Sequence, residues 1–154
     1  MRDNRSMTFQ PLNLKPGCEL CAASGGVLIW TSQEWRAVRV EDASHPAFYR
    51  IISNRHVREF SDLASDDRIR CMALVSAIER VLIDALNPTK VNLAAFGNMV
   101  AHLHWHIVAR FEWDSHFPNP IWGERLRETT DAAARLALPL SELDAAVVRA
   151  LAVA

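Results

Sequence analysis

The sequence predicts an α+β domain in which helices are segregated to one side of an antiparallel sheet of about five strands. Three observations predict it. The first third of the chain is made of short β-rich runs separated by turn residues. A long apolar stripe at helical spacing follows. After a proline break, two more β-rich runs appear, and the second carries histidines at alternate positions, His102-Leu103-His104-Trp105-His106-Ile107-Val108.

Each element has its own signal. Gly25-Gly26 leads into Val27-Leu28-Ile29-Trp30, then come Trp35 to Val40 and Ala47-Phe48-Tyr49-Arg50-Ile51-Ile52, the pattern of an antiparallel meander. From Ser65, apolar residues recur at Ile69, Met72, Val75, Ile78, Leu82 and Leu86, which is one face of a helix. Ser65, Asp66 and Asp67 supply a cap and first-turn acids, and Asn87-Pro88 stops the helix. Lys90 to Phe96 reads as a strand, Gly97-Asn98 as a tight turn and Val100 to Phe111 as the histidine strand. Beyond Trp113 a proline-rich irregular piece, Phe117 to Trp122, precedes a short helix near Glu124 to Leu136. A last helix starts at Ser141, whose hydroxyl with Asp144 resembles a capping box. With 154 residues and no internal repeat or linker, residues 13–154 are expected to form a single domain behind a flexible tail, 1–12.

Composition narrows the partners. Half the residues are hydrophobic and the formal net charge is −1, which fits a packed globular domain and argues against a nucleic-acid coat or a polybasic membrane anchor. The arginines at 36, 39, 50, 55 and 58 can still make a local anion-attracting surface. The N-terminal segment holds Arg2, Asp3 and Arg5 and lacks a signal-peptide core, no stretch has the length of a membrane span, and a cytoplasmic location is expected. Three cysteines do not make a secreted disulfide scaffold; Cys18-Glu19-Leu20-Cys21 reads as a metal or redox pair in a loop, and Cys71 as a small core residue.

The alternating histidines admit three explanations. In an extended strand the imidazoles share one face, with Leu103, Trp105 and Ile107 on the other. They can be the polar face of a half-exposed strand, although histidine is not a favoured strand filler. They can be ligands of a catalytic zinc, but same-face neighbours about 7 Å apart reach one ion awkwardly. Or the central imidazole can attack phosphorus while its neighbours handle charge and protons.

The run His102 to Val108 resembles the motif of the histidine-triad (HIT) family, and Gly97-Asn98-Met99-Val100 resembles that family's Gly-Gln-x-Val lead-in, with Asn98 in place of glutamine. The order of elements, from Cys18 to about Trp122, fits as well. The resemblance implies that His104 is a nucleophile that attacks the α-phosphate of a nucleotide and forms a nucleotidyl-histidine intermediate. It implies that His106 hydrogen-bonds phosphate oxygens or the leaving group, and that His102 assists through its carbonyl, which fixes the tautomer of His104. Asn98, Asn92, Arg110 and Trp122 become candidate substrate contacts, with Trp122 either reaching across a dimer or serving as a core plug. The loop Leu93-Ala94-Ala95-Phe96 is apolar where many members carry glycines and acids, and Met99 stands where some carry a small hydroxyl residue. His45 reads as a turn residue and His116 as a solvated loop histidine.

By the same resemblance, Cys18, Cys21, His56 and His102 form a tetrahedral set for a structural zinc, and the nucleophile itself needs no metal. The expected partners are a nucleotide, preferably a purine one, and a second copy in a homodimer, with no nucleic-acid polymer and no membrane. The activity implied is hydrolysis or nucleotidyl transfer on a dinucleoside polyphosphate or nucleoside phosphoramidate. The alternatives are a non-catalytic nucleotide-binding or zinc-stabilised interaction protein and, third, a histidine-ligated metal hydrolase.

Overall fold

The computed structural model describes residues 7–154; the first half of the expected tail, residues 1–6, lies outside the described residues. After a single helical turn, α1 (Glu19–Ala22), three strands run as a meander: β1 (Val27–Thr31), β2 (Trp35–Arg39) and β3 (Phe48–Ser53). A long helix, α2 (Ser65–Leu86), leads to β4 (Lys90–Ala94) and β5 (His104–Arg110), and the chain ends on α3 (Leu140–Leu151). The five strands form one sheet in the order β1-β2-β3-β5-β4, with every adjacent pair antiparallel. The helix thus carries the chain past β3, so that β5 inserts between β3 and β4.

Alternation along the strands divides the sheet into two unlike faces. Ile29, Ala37, Tyr49, Ile51, Ile107 and Ala109 point into the core, where α2 contributes Cys71, Leu74, Val75, Ile78 and Leu82 and α3 contributes Leu143, Val147 and Leu151. Cys71 is fully buried there, and its thiol is pushed up to about 12 by desolvation, so it is an inert core residue. The opposite face carries only a small apolar cluster, Leu20, Val38 and Ile52. This second face holds the chemistry.

Gly25 and Gly26 let the chain cross that face closely. Gly26 has φ +154°, and a Cβ there would lie 2.6 Å from the Arg39 carbonyl oxygen, which only glycine avoids. N-terminal to α1, Leu12 forms a parallel bridge with Arg55, and Phe9 lies 4.0 Å from the Arg36 guanidinium.

Several local expectations are corrected. The N-cap of α2 is Ala64, with no side-chain cap; Ser65 is the first helical residue, although Asp66 and Asp67 do occupy the first turn and Asn87 closes the helix in the left-handed region. No α-helix spans 124–136. The backbone N–H groups of Leu126 and Arg127 are drawn to the Ser115 carbonyl, Asp131 has φ 51°, and only a 3-10 turn at Ala132–Arg135 forms. The capping box at Ser141 is absent because α3 starts one residue earlier and the Asp144 carboxylate is taken by Tyr49 Oη, 2.8 Å, and Arg39 Nε, 3.0 Å. A residue chosen for its capping pattern therefore ties helix to sheet.

At the far end of β5, Arg110 and Asp114 form a buried ion pair, 2.8 Å from Nε to Oδ2, with side chains 2% and 1% exposed. Arg110 also donates to Asn92 Oδ1 and to the Asn119 carbonyl. Burial alone would raise the Asp114 pKa. The Arg110 hydrogen bond and the N–H groups of His116, Phe111 and Phe117 outweigh it and hold the carboxyl at about 2. Its stabilisation is therefore complete above the ordinary carboxyl range near about 4 and is lost as the pH falls through that depressed value. Asp114→Asn leaves a buried guanidinium without a counter-charge and is expected to cost about 3–5 kcal/mol in urea unfolding. A loss under about 1 kcal/mol would show that the pair is solvated after all.

Candidate active site

The histidines are not equivalent, and their hydrogen bonds set them apart. His102 lies just before β5 and is fully buried, with Nε2 2.7 Å from the Ser53 carbonyl oxygen. A carbonyl accepts only from N–H, so Nε2 carries the proton and Nδ1 is bare. Bare Nδ1 sits 3.4 Å from Cys18 Sγ and 3.6 Å from Cys21 Sγ. Burial, together with the positive charge of Arg36, holds this imidazole down to about 4 despite the Ser53 bond.

His104 uses the opposite nitrogen. Its Nδ1 lies 2.6 Å from the His102 carbonyl oxygen, so Nδ1 carries the proton and Nε2 keeps its lone pair. Desolvation keeps the ring neutral, with its pKa below the ordinary histidine value. His106, edge-on to His104 at a centroid distance of 4.8 Å, accepts at Nδ1 from Arg50 Nε at 3.3 Å. Desolvation, then His104 and Arg50, push it down to about 3.

His104 and His106 open on a cavity of about 420 Å³ that Asn98, Met99, Phe96, Trp122 and Arg50 also line. Trp122 packs against His106 and Phe96, at 4.9 Å and 4.8 Å between centroids, and so lies beside the triad of its own chain. Asn98 is exposed at the cavity rim, and Met99 is 97% exposed. Asn92 and Arg110 are bonded to each other outside this cavity. His116 lies next to Ser115 and stacks obliquely on buried His45, 5.0 Å between centroids, also outside it.

Arg50 was legible only as one of several arginines. The signal that singles it out is its position in Phe48-Tyr49-Arg50-Ile51-Ile52, a charged side chain on the otherwise apolar site face of a central strand. Register then places it directly opposite His106.

On the other side of His102, the ligand atoms of Cys18, Cys21, His56 and His102 all lie within 4.8 Å of one another. The Cys21 Sγ to His56 Nδ1 distance is 3.4 Å. Zinc bonds of about 2.3 Å to sulfur and about 2.0 Å to nitrogen give tetrahedral sulfur–nitrogen edges of roughly 3.5 Å, so the donor set fits that ion. Cys18 is the N-cap residue of the helical turn α1 and Cys21 lies within it, so the pair sits on a turn of helix rather than in a loop, and Arg36 holds that turn down through the carbonyls of Leu20, Ala23 and Ser24.

A HIT domain profile matches residues 24–113, well over half of the chain. The chain belongs to the HIT family. A histidine triad protein of Bradyrhizobium japonicum is 26% identical and superimposes with a TM-score of 0.68 over 83% of this chain and 92% of that one. One from Marinobacter aquaeolei is 22% identical, with a TM-score of 0.67 over 87% and 93%. A zinc-bound histidine triad family protein from Mycobacterium smegmatis is 19% identical, with a TM-score of 0.57 over 88% and 94%. No curated protein matches the sequence. The HIT family is one of nucleotide-binding hydrolases and transferases, some members of which are non-catalytic. Among the described residues of this HIT protein, no helix is long and apolar enough to cross a membrane.

Proposed function

We propose that this HIT protein cleaves nucleoside 5′-phosphate derivatives at the α-phosphate, with His104 as nucleophile and a dinucleoside polyphosphate or a nucleoside phosphoramidate as substrate. The observation that carries the proposal is the bond from His104 Nδ1 to the His102 carbonyl, which leaves a neutral Nε2 lone pair in a cavity of nucleotide-fragment size. Nε2 forms a bond to phosphorus while the bond from phosphorus to the leaving oxygen or nitrogen breaks, its electron pair departing with the leaving group. An acceptor, in the simplest case water, then attacks the same phosphorus. The nitrogen–phosphorus bond breaks, its electrons return to Nε2, and the proton from water is taken up by solvent or by the departed group.

Neutral imidazole at His106, with Nε2–H as its remaining donor, and the amide of Asn98 are suited to stabilise phosphate oxygens as charge redistributes. Phe96 and Trp122 form the apolar wall for a base or ribose, and a purine offers the larger face for it. Cys18, Cys21, His56 and His102 would hold zinc with every coordination position filled by protein, a structural tie between α1 and the approach to β5 and not a Lewis acid. The zinc-bound relative of similar fold supports this reading.

Adduct trapping tests the proposal. Acid-quenched mixtures with adenosine phosphoramidate or diadenosine polyphosphates should yield protein carrying one adenylyl group, mapped by peptide mass to His104. Saturable AMP binding with neither adduct nor turnover would instead identify a non-catalytic nucleotide-binding protein.

A further inference from the structure

Arg50 is a half-buried cation with no carboxylate partner among the described residues. Nη1 donates to the Gly25 carbonyl at 3.2 Å, Nε donates to His106 Nδ1 at 3.3 Å, and Nη2 has no acceptor among the described residues. The contrast with Arg36 is informative: that guanidinium is fully buried, and its hydrogen bonds all end on carbonyl oxygens of the fold and the Asn54 amide. A cation removed from water is costly without an opposing charge, and Arg50 is the basic residue lining the cavity. Glu19, the acid at the same cavity, forms neither an ion pair nor a hydrogen bond with it among the described residues.

A guanidinium donates and never accepts, so the nitrogen it faces must be unprotonated. From this geometry we infer that Arg50 is a positioning residue: it holds His106 as the Nε2–H tautomer and leaves its own Nη2 edge for an anionic group of the substrate. Positive charge in the cavity then belongs to a group that never titrates, while His106 serves as a neutral donor. The neighbours of the His106 ring agree. They are His104 on the same strand, Arg50 on β3, and the rings of Phe48, Phe96 and Trp122, and among the described residues no carboxylate bonds to the ring to favour an imidazolium. Burial and the Arg50 charge act in the same direction on that ring.

The part of this inference that concerns substrate rests on the proposed nucleotidyl chemistry; the tautomer does not. Long-range nitrogen–proton NMR of the ring-labelled protein reads it directly. The native protein should show His106 with Nε2 protonated and Nδ1 bare, unchanged between about pH 5 and 8. In Arg50→Met the ring should become a tautomer mixture, with its midpoint raised toward the ordinary histidine value. Arg50→Lys, which keeps a charge and a donor, should restore the native tautomer at least in part. With adenosine phosphoramidate, Arg50→Met should lower kcat about 10- to 100-fold and raise KM, the scale of a misplaced reacting group with a lost anion contact. An Nδ1–H tautomer in the native protein, or an Arg50→Met spectrum identical to native, would overturn the inference. Absence of turnover in native protein would count against the nucleotidyl reading alone, because the spectra decide the tautomer by themselves.

Discussion

His104→Asn is expected to abolish turnover, with kcat falling by roughly three or more orders of magnitude, the scale that follows removal of a covalent nucleophile. Asparagine is the informative replacement. Its side-chain N–H₂ can still donate to the His102 carbonyl that Nδ1 of His104 now meets at 2.6 Å, so the backbone acceptor is not stranded. What disappears is the Nε2 lone pair. The thermal midpoint and the dissociation constant for AMP should stay near native values, measured by calorimetry and by titration. Retained turnover in a verified His104→Asn protein would mean that another group attacks phosphorus, or that no covalent intermediate forms.

The second large effect is expected at the cysteine and histidine cluster. Purified native protein should contain about one zinc per chain by elemental analysis, and Cys18→Ser or Cys21→Ser should lose it. The cluster ties the segment before β1 to His56, beyond β3, and to His102, before β5, so that its ligands span 84 residues. Loss of such a tie should cost a few kcal/mol, read as a fall in Tm of roughly 6–12 °C for a domain of this size. Catalysis should suffer too, with kcat affected more than KM, because the residue whose Nδ1 faces the thiols is the one whose carbonyl orients His104. Native protein free of zinc, with thermal stability unchanged by a strong chelator, would remove the metal from the account and leave Cys18 and Cys21 as packing residues.

Both expectations trace to hydrogen bonds that give neighbouring imidazoles opposite assignments. The Ser53 carbonyl accepts from His102 and so keeps its proton on Nε2, turning Nδ1 to the thiols; the His102 carbonyl accepts from His104 and so keeps its proton on Nδ1, leaving Nε2 bare. Arg50 completes the series from the side-chain direction at His106. Alternation supplies same-face placement only for His104 and His106, which lie within β5; His102 lies before the strand begins.

Much of this was readable in the chain alone. Period-two runs and the 3.6-residue stripe from Ser65 to Leu86 are local consequences of backbone geometry, so five strands and the long helix could be placed within a few residues. The alternating histidines, the Gly97-Asn98 approach and the Cys18-x-x-Cys21 spacing carried the family and the type of chemistry because those features also reside in short stretches. The tertiary structure decided what depends on partners far apart in sequence. Asp144 looks like a cap but meets Tyr49 and Arg39; Arg110 looks like a phosphate contact but closes on Asp114 and Asn92; Arg50 looks like one surface arginine among several but faces His106 across a strand pair. Periodicity fixes the direction in which a side chain points. Strand order and register, which follow from burying the whole core at once, determine what it meets there.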